Sequence, residues 1–136
     1  MIPFNELKIG LDLGPLIKPP IEKVDLVKYC GVAQDFHLIH TDDELARKDG
    51  LPGVIAHGML SMGYLCQLVG QLVETKGFIR RLQVRFTGMV FPGDIITCRA
   101  KVININENTR TVELEVTAET SNGKIVSIGE STLIYY

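Results

Sequence analysis

The chain has 136 residues, 46% apolar and 22% charged, with a formal net charge of −2. This is the length and apolar content of one globular domain with a full core, so the expected organisation is a single domain over residues 1–136. The two signs of charge are interspersed and no block of Lys or Arg occurs, which speaks against nucleic acid or an anionic membrane as partner. The start, MIPFNELKIGLDLG, lacks the basic and continuous apolar regions of a signal peptide. Three widely spaced cysteines, Cys30, Cys66 and Cys98, fit neither a disulfide framework nor a zinc site. A reducing, cytoplasmic setting is therefore expected.

In chain order, a short strand is predicted near Leu16-Ile17-Lys18, ended by Pro19-Pro20. Residues 22–32 space Val24, Val27 and Tyr29 or Cys30 onto one helical face, predicted to be the buried one. Thr41-Asp42-Asp43-Glu44 reads as a capping box, with Thr41 as the cap of a helix reaching Asp49. Gly50 fits the left-handed residue that closes it. From Gly53 to Val73 no Asp, Glu, Lys or Arg occurs. Such a stretch approaches the length of a membrane span, but His57, Gln67, Gln71 and four glycines interrupt it. It is better read as a helix from about His57 to Thr75, stopped by Gly77 and wrapped on most sides by a sheet.

Beyond Gly77 the period changes. Residues 111–120 alternate Val112, Leu114, Val116 and Ala118 with Glu113, Glu115, Thr117 and Glu119, as a strand with one buried face does. Ser121-Asn122-Gly123-Lys124 is a tight hairpin turn into a returning strand, 124–136. Segments 79–86 and 95–105 also read as strands, joined through Phe91-Pro92-Gly93-Asp94. Helices held to one face of an antiparallel sheet make an α+β fold.

The reactive residues gather in one region. Asp35 precedes His40 by five residues, on a predicted loop between helices. A carboxylate and an imidazole suit proton transfer near neutrality, although on spacing alone such a pair is more often structural. Ile55-Ala56-His57-Gly58-Met59 opens the long helix, where free amides point outward and Gly58 lets a ligand approach the backbone. The Gly58 amide is a candidate oxyanion donor; the plainer alternative is close helix packing, with His57 bonding locally.

The stretch YCGVAQDFHLIHTDDELARKDGLPGVIAHGMLSMGYL resembles the hydratase motif of the MaoC-like hydratase and dehydratase family. That pattern is approximately D-x-N-P-[IV]-H-x-D, then A-x-x-x-G, then I-A-H-G-M. Asp35, Ile39, His40, Asp42, Ala46, Gly50 and residues 55–59 match it, and VRFTGMVFPGDIIT resembles the family's later strand–turn–strand. The resemblance spans about residues 14 to 136. It implies the hot-dog fold, a curled antiparallel sheet around a central helix. It also implies a homodimer or a larger assembly of dimers, no metal and no cofactor.

The substrate implied is an acyl thioester of CoA or acyl carrier protein. Asp35 and His40 would activate water for reversible hydration of a trans-2-enoyl thioester to the (3R)-3-hydroxyacyl thioester. Gly58 would polarise the thioester carbonyl, with His57, His37, Ser61 and Cys66 as further substrate-binding candidates.

One departure stands out: His37-Leu38 replaces the family's Asn-Pro. His37 either anchors the loop in place of Asn, or faces the substrate, or cripples the site and leaves a partner subunit. For Ser61, Tyr64 and Cys66 the alternative to lining an acyl tunnel is core packing. For Arg80, Arg81 and Arg85 the choice is between CoA phosphates and a solvated strand face. The competing functions are a hot-dog acyl-CoA thioesterase and a non-catalytic thioester-binding subunit.

Overall fold

A computed structural model describes residues 2–136. In chain order come β1 (Asp12–Ile17), α1 (Lys23–Ala33), α2 (Asp43–Lys48), α3 (Gly58–Val73), β2 (Gly77–Phe86), β3 (Ile96–Asn106), β4 (Thr111–Thr120) and β5 (Ile125–Tyr135). The strands form one five-stranded antiparallel sheet in the order β1-β3-β4-β5-β2. The sheet curls around α3 in the hot-dog arrangement the resemblance implies.

The alternating pattern of β4 is realised as read: Val112, Leu114, Val116 and Ala118 are buried. Cys98, Ala100 and Val102 of β3 and Val126, Leu133 and Tyr135 of β5 join them on the inner face. Leu65, Leu68, Val69 and Leu72 of α3 close the core from the other side. Fully burying a Val or Leu side chain contributes about 1.5–3 kcal/mol, so this layer carries the fold. It also pushes the Cys98 thiol up to about 11, through burial. Gly129 lets β2 and β5 approach, because a Cβ there would collide with the Gln83 carbonyl. On the outer face, Arg99 pairs with Glu119 and Lys101 lies opposite Glu115.

Among the described residues no helix is long and apolar enough to cross a membrane. The uncharged stretch is the central helix, with its apolar side turned to the sheet.

Three local expectations are corrected. The buried face of α1 is Leu26 and Cys30, with Tyr29 half-buried, while Val24 and Val27 are exposed. The cap of α2 is Asp42, whose carboxylate accepts from the amides of Glu44 and Leu45. Thr41 instead ends the preceding 3-10 turn, its amide bonded to the Leu38 carbonyl. A carboxylate one residue later satisfies the same free amides and adds a favourable interaction with the helix dipole. The reciprocal capping box belongs to α1, between Glu22 and Asp25. Finally, α3 ends at Val73, and Gly77 opens β2 rather than closing the helix.

Candidate active site

Asp35 is placed by the end of α1. Gln34 takes the left-handed conformation, φ 55°, and its side-chain Nε2 donates to the Gly31 carbonyl at 2.7 Å. The chain turns sharply there and enters the 3-10 turn Leu38–His40. His37 sits at the head of that turn: its Nδ1 accepts from the Ile39 amide at 3.4 Å. Its own amide donates to Asp35 Oδ1 at 3.2 Å. This is the geometry of a loop anchor, and the His37 ring does not line the cleft described below.

The opposite wall is the segment 54–57, held on three sides. The Val54 amide donates to Asp43 Oδ1 at 3.0 Å, that of Ile55 to the Ile39 carbonyl at 3.0 Å, and that of Ala56 to the Val90 carbonyl at 2.8 Å. Asp43 is itself fixed by Lys23, and that bond, with the Val54 amide, holds its carboxyl below the usual carboxylate range. The segment therefore delivers His57 and Gly58 to the start of α3 on a rigid support.

The two walls meet in a stacked pair of imidazoles. The His40 and His57 rings lie 3.6 Å apart between centroids, 22° from parallel. Both are buried, at 8% and 4% exposure, whereas the Asp35 side chain is half exposed. His40 Nδ1 lies 2.7 Å from the Ile55 carbonyl, an acceptor only, so Nδ1 carries the proton and Nε2 keeps a lone pair. Nε2 faces Asp35 Oδ2 at 3.9 Å. Burial lowers the His40 pKa below its ordinary value, and the Ile55 carbonyl and the Asp35 charge oppose that only in part. At neutral pH His40 is thus an unprotonated base with its lone pair aimed at a carboxylate.

His57 Nε2 is 3.1 Å from the Asp35 carbonyl and 3.9 Å from Asp35 Oδ2. It also touches Cys30 Sγ at 3.8 Å, and the Tyr29 ring lies 5.0 Å away. Asp35, His40 and His57 have ligand atoms within 4.8 Å of one another, close to metal-ligand spacing. The His57 Nε2 of this set is already committed as donor to the Asp35 carbonyl, however, which leaves the His40 Nε2 lone pair and the Asp35 carboxylate, a pairing that suits proton transfer better than a full metal ligand set.

A cleft of about 290 Å³ opens over this group, lined by Tyr29, Ala33, Asp35, His40, His57, Gly58, Met59 and Phe86. Gly58 is the first residue of α3, where an amide has no acceptor within its own helix. The Phe86 ring packs on it so closely that a Cβ at 58 would sit 3.0 Å from the ring.

Asp35, His40, His57 and Gly58 are therefore brought together. Ser61 is buried in α3 and Cys66 is exposed on it; neither lines the cleft. Arg81 and Arg85 line a separate recess with Glu115 and Glu130, on the solvated strand face. Sequence reasoning missed Phe86 and the Ile55 carbonyl, which no residue pattern marks, and it gave Tyr29 no place in the site.

Fold and cleft define a hot-dog protein with a carboxylate and two stacked imidazoles at the mouth of its central helix. A family model described as "MaoC like domain" matches residues 7–124, and the chain belongs to that family. An (R)-specific enoyl-CoA hydratase of Rhodospirillum rubrum is 27% identical over 132 residues, covering 96% of this chain and 90% of that protein. The fatty acid synthase beta subunit TOXC of Cochliobolus carbonum is 29% identical over 107 residues. This chain corresponds to 5% of that long polypeptide, while 77% of the chain is matched. Among solved structures, the (R)-hydratase of A. caviae superposes with a TM-score of 0.88 at 23% identity, covering 96% of this chain and 98% of that one.

Proposed function

We propose that the chain reversibly hydrates trans-2-enoyl thioesters to (3R)-3-hydroxyacyl thioesters. The observation that carries this is the lone pair of His40 Nε2 facing Asp35 Oδ2 across 3.9 Å at the floor of the cleft. That gap is too long for a direct hydrogen bond, but it is the right width for the substrate water to sit about 2.8 Å from each group. His40 Nε2 takes a proton as the water oxygen bonds to C3, and the electron pair of the C2=C3 bond moves towards the thioester carbonyl. The pair then returns a proton to C2, so H and OH are added across the double bond. The Gly58 amide donates to the thioester oxygen as its charge develops; such a donor is worth roughly 3–4 kcal/mol. The (R) outcome and the thioester substrate are supported by family membership and by the hydratase relative.

His37 takes the anchoring part of the family's Asn, by the bond it accepts from Ile39. The substrate handle is CoA or acyl carrier protein. The working unit is a homodimer or an assembly of dimers: β2 leaves one side of its backbone unpaired at the sheet edge, beside exposed Phe86, Met59 and Met89.

The test is the loss of conjugated enoyl absorbance with a panel of trans-2-enoyl-CoAs, with free thiol followed in parallel. Loss of absorbance without thiol release is expected. Thiol release from saturated acyl-CoA would replace the hydratase with a thioesterase.

A further inference from the structure

His57 was expected to meet the substrate, yet its ring is 4% exposed and its polar contacts are internal. The two histidines exchange backbone acceptors. His40, on the loop after α1, donates to the carbonyl of Ile55, before α3. His57, at the entry to α3, donates back to the carbonyl of Asp35 on that loop. The Ile55 amide adds a third strand-like bond to the Ile39 carbonyl. Between these bonds the rings stack face to face, with Cys30 and Tyr29 of α1 packed against His57. If Nε2 of His57 carries the proton, Nδ1 is a buried lone pair, and that atom has no partner. Leaving a buried acceptor unpaired costs about 1–3 kcal/mol, so a plain core side chain would serve packing better.

We propose that His57 is a positioning residue, whose ring clasps the Asp35 loop to the entry of α3 and holds His40 Nε2 in line with the Asp35 carboxylate. This rests on the hydratase reading above. The clasp fixes the backbone of Asp35 through its carbonyl and the plane of His40 through stacking, so both partners of the 3.9 Å gap depend on one ring. It has a titration consequence too. The charged or titratable groups around the stacked pair are Asp35 and His37 on the loop and Tyr29 and Cys30 on α1. The first turn of α3 carries no acidic side chain, and Phe86 of β2 is neutral. Within that set His57 covers one face of His40 from water and opposes a second positive charge beside it, and both effects favour the unprotonated base.

The experiment combines imidazole nitrogen NMR across pH with steady-state kinetics on wild type, His57→Ala and His57→Gln. In wild type, His57 should be protonated at Nε2 and His40 at Nδ1. His57→Ala should lower kcat about 10- to 100-fold, the scale of a small misplacement of catalytic groups. KM should stay within about threefold, since no substrate contact is lost. His57→Gln, which still offers a donor to the Asp35 carbonyl, should recover part of kcat. In both variants the His40 titration and the acid limb of kcat/KM should move to higher pH.

A rise in KM with an unmoved His40 titration would overturn the proposal in favour of substrate contact. Unchanged kcat and titration would reduce His57 to packing. The wild-type spectra decide even if the variants fail to fold, because His57 protonated at Nδ1 breaks the clasp. A wild-type protein inactive on every thioester, with the spectra as expected, would refute the hydratase reading and leave the clasp standing.

Discussion

β4 and the segment 35–57 are held in opposite ways. β4 is fixed by many interchangeable contacts: four alternate side chains buried to completion and hydrogen-bonded strands on either side. The cleft segment is fixed by a few directional bonds, each made by one named group: Ile55 to Ile39, His40 to Ile55, His57 to Asp35, Val54 to Asp43. Apolar burial is non-directional and tolerates small shifts, whereas proton transfer across a 3.9 Å gap does not. The sheet therefore sets stability, and the segment sets the geometry that the proposed chemistry needs.

Substitutions should separate the two. The largest effect is expected from His40→Ala, which removes the proposed base: hydration should fall about 10²- to 10⁴-fold in kcat/KM, with the circular dichroism of the sheet unchanged. Leu114→Ala is its mirror image, cutting a fully buried side chain from β4. Denaturant unfolding should show a loss of about 2–5 kcal/mol, while turnover per folded molecule holds. An intermediate case sharpens the boundary. Gly58→Ala puts a methyl 3.0 Å from the Phe86 ring, so the ring must move over the proposed oxyanion donor. Activity should drop about tenfold with little change in melting temperature, and Phe86→Ala in the same chain should restore part of it.

The smallest effect is on stability against pH. Folding lowers the His40 pKa, so the folded state favours the neutral ring. The unfolded chain binds that proton more readily, at the ordinary value of about 6.5. The resulting stabilisation is complete above that value and is lost as pH falls through the folded pKa. Melting temperature measured from pH 7.5 down to 5 should decline less in His40→Ala than in wild type.

The same contrast explains what the sequence revealed. β4 and the hairpin to β5 were legible to within a residue or so, because a period of two in apolar residues is imposed by a one-sided core. The central helix was legible from its missing charges. The α1 face was not: Val24 and Val27 have the right spacing, but the inward side is chosen by Leu26 and Cys30, which meet the core and His57. The cap of α2 slipped by one residue because Thr41 and Asp42 are both good caps, and the preceding 3-10 turn takes Thr41 for itself. That Asp35, His40 and Gly58 come together in one cleft was legible from the motif. That His57 turns inward was not, because its partner is a backbone carbonyl with no signature in sequence. Phe86 was missed for a related reason: it reaches Gly58 only through the curl of β2.

The most direct test of the account is the hydration rate of trans-2-enoyl-CoA by the wild-type protein and by Asp35→Asn, compared at equal folded concentration. Asparagine keeps the size and the backbone carbonyl that His57 grips, and removes only the carboxylate charge and its proton chemistry. A rapid wild-type rate and a loss of about 10²-fold or more in the variant are expected. A variant as fast as wild type would contradict the account, and would place the chemistry outside the Asp35–His40 pair.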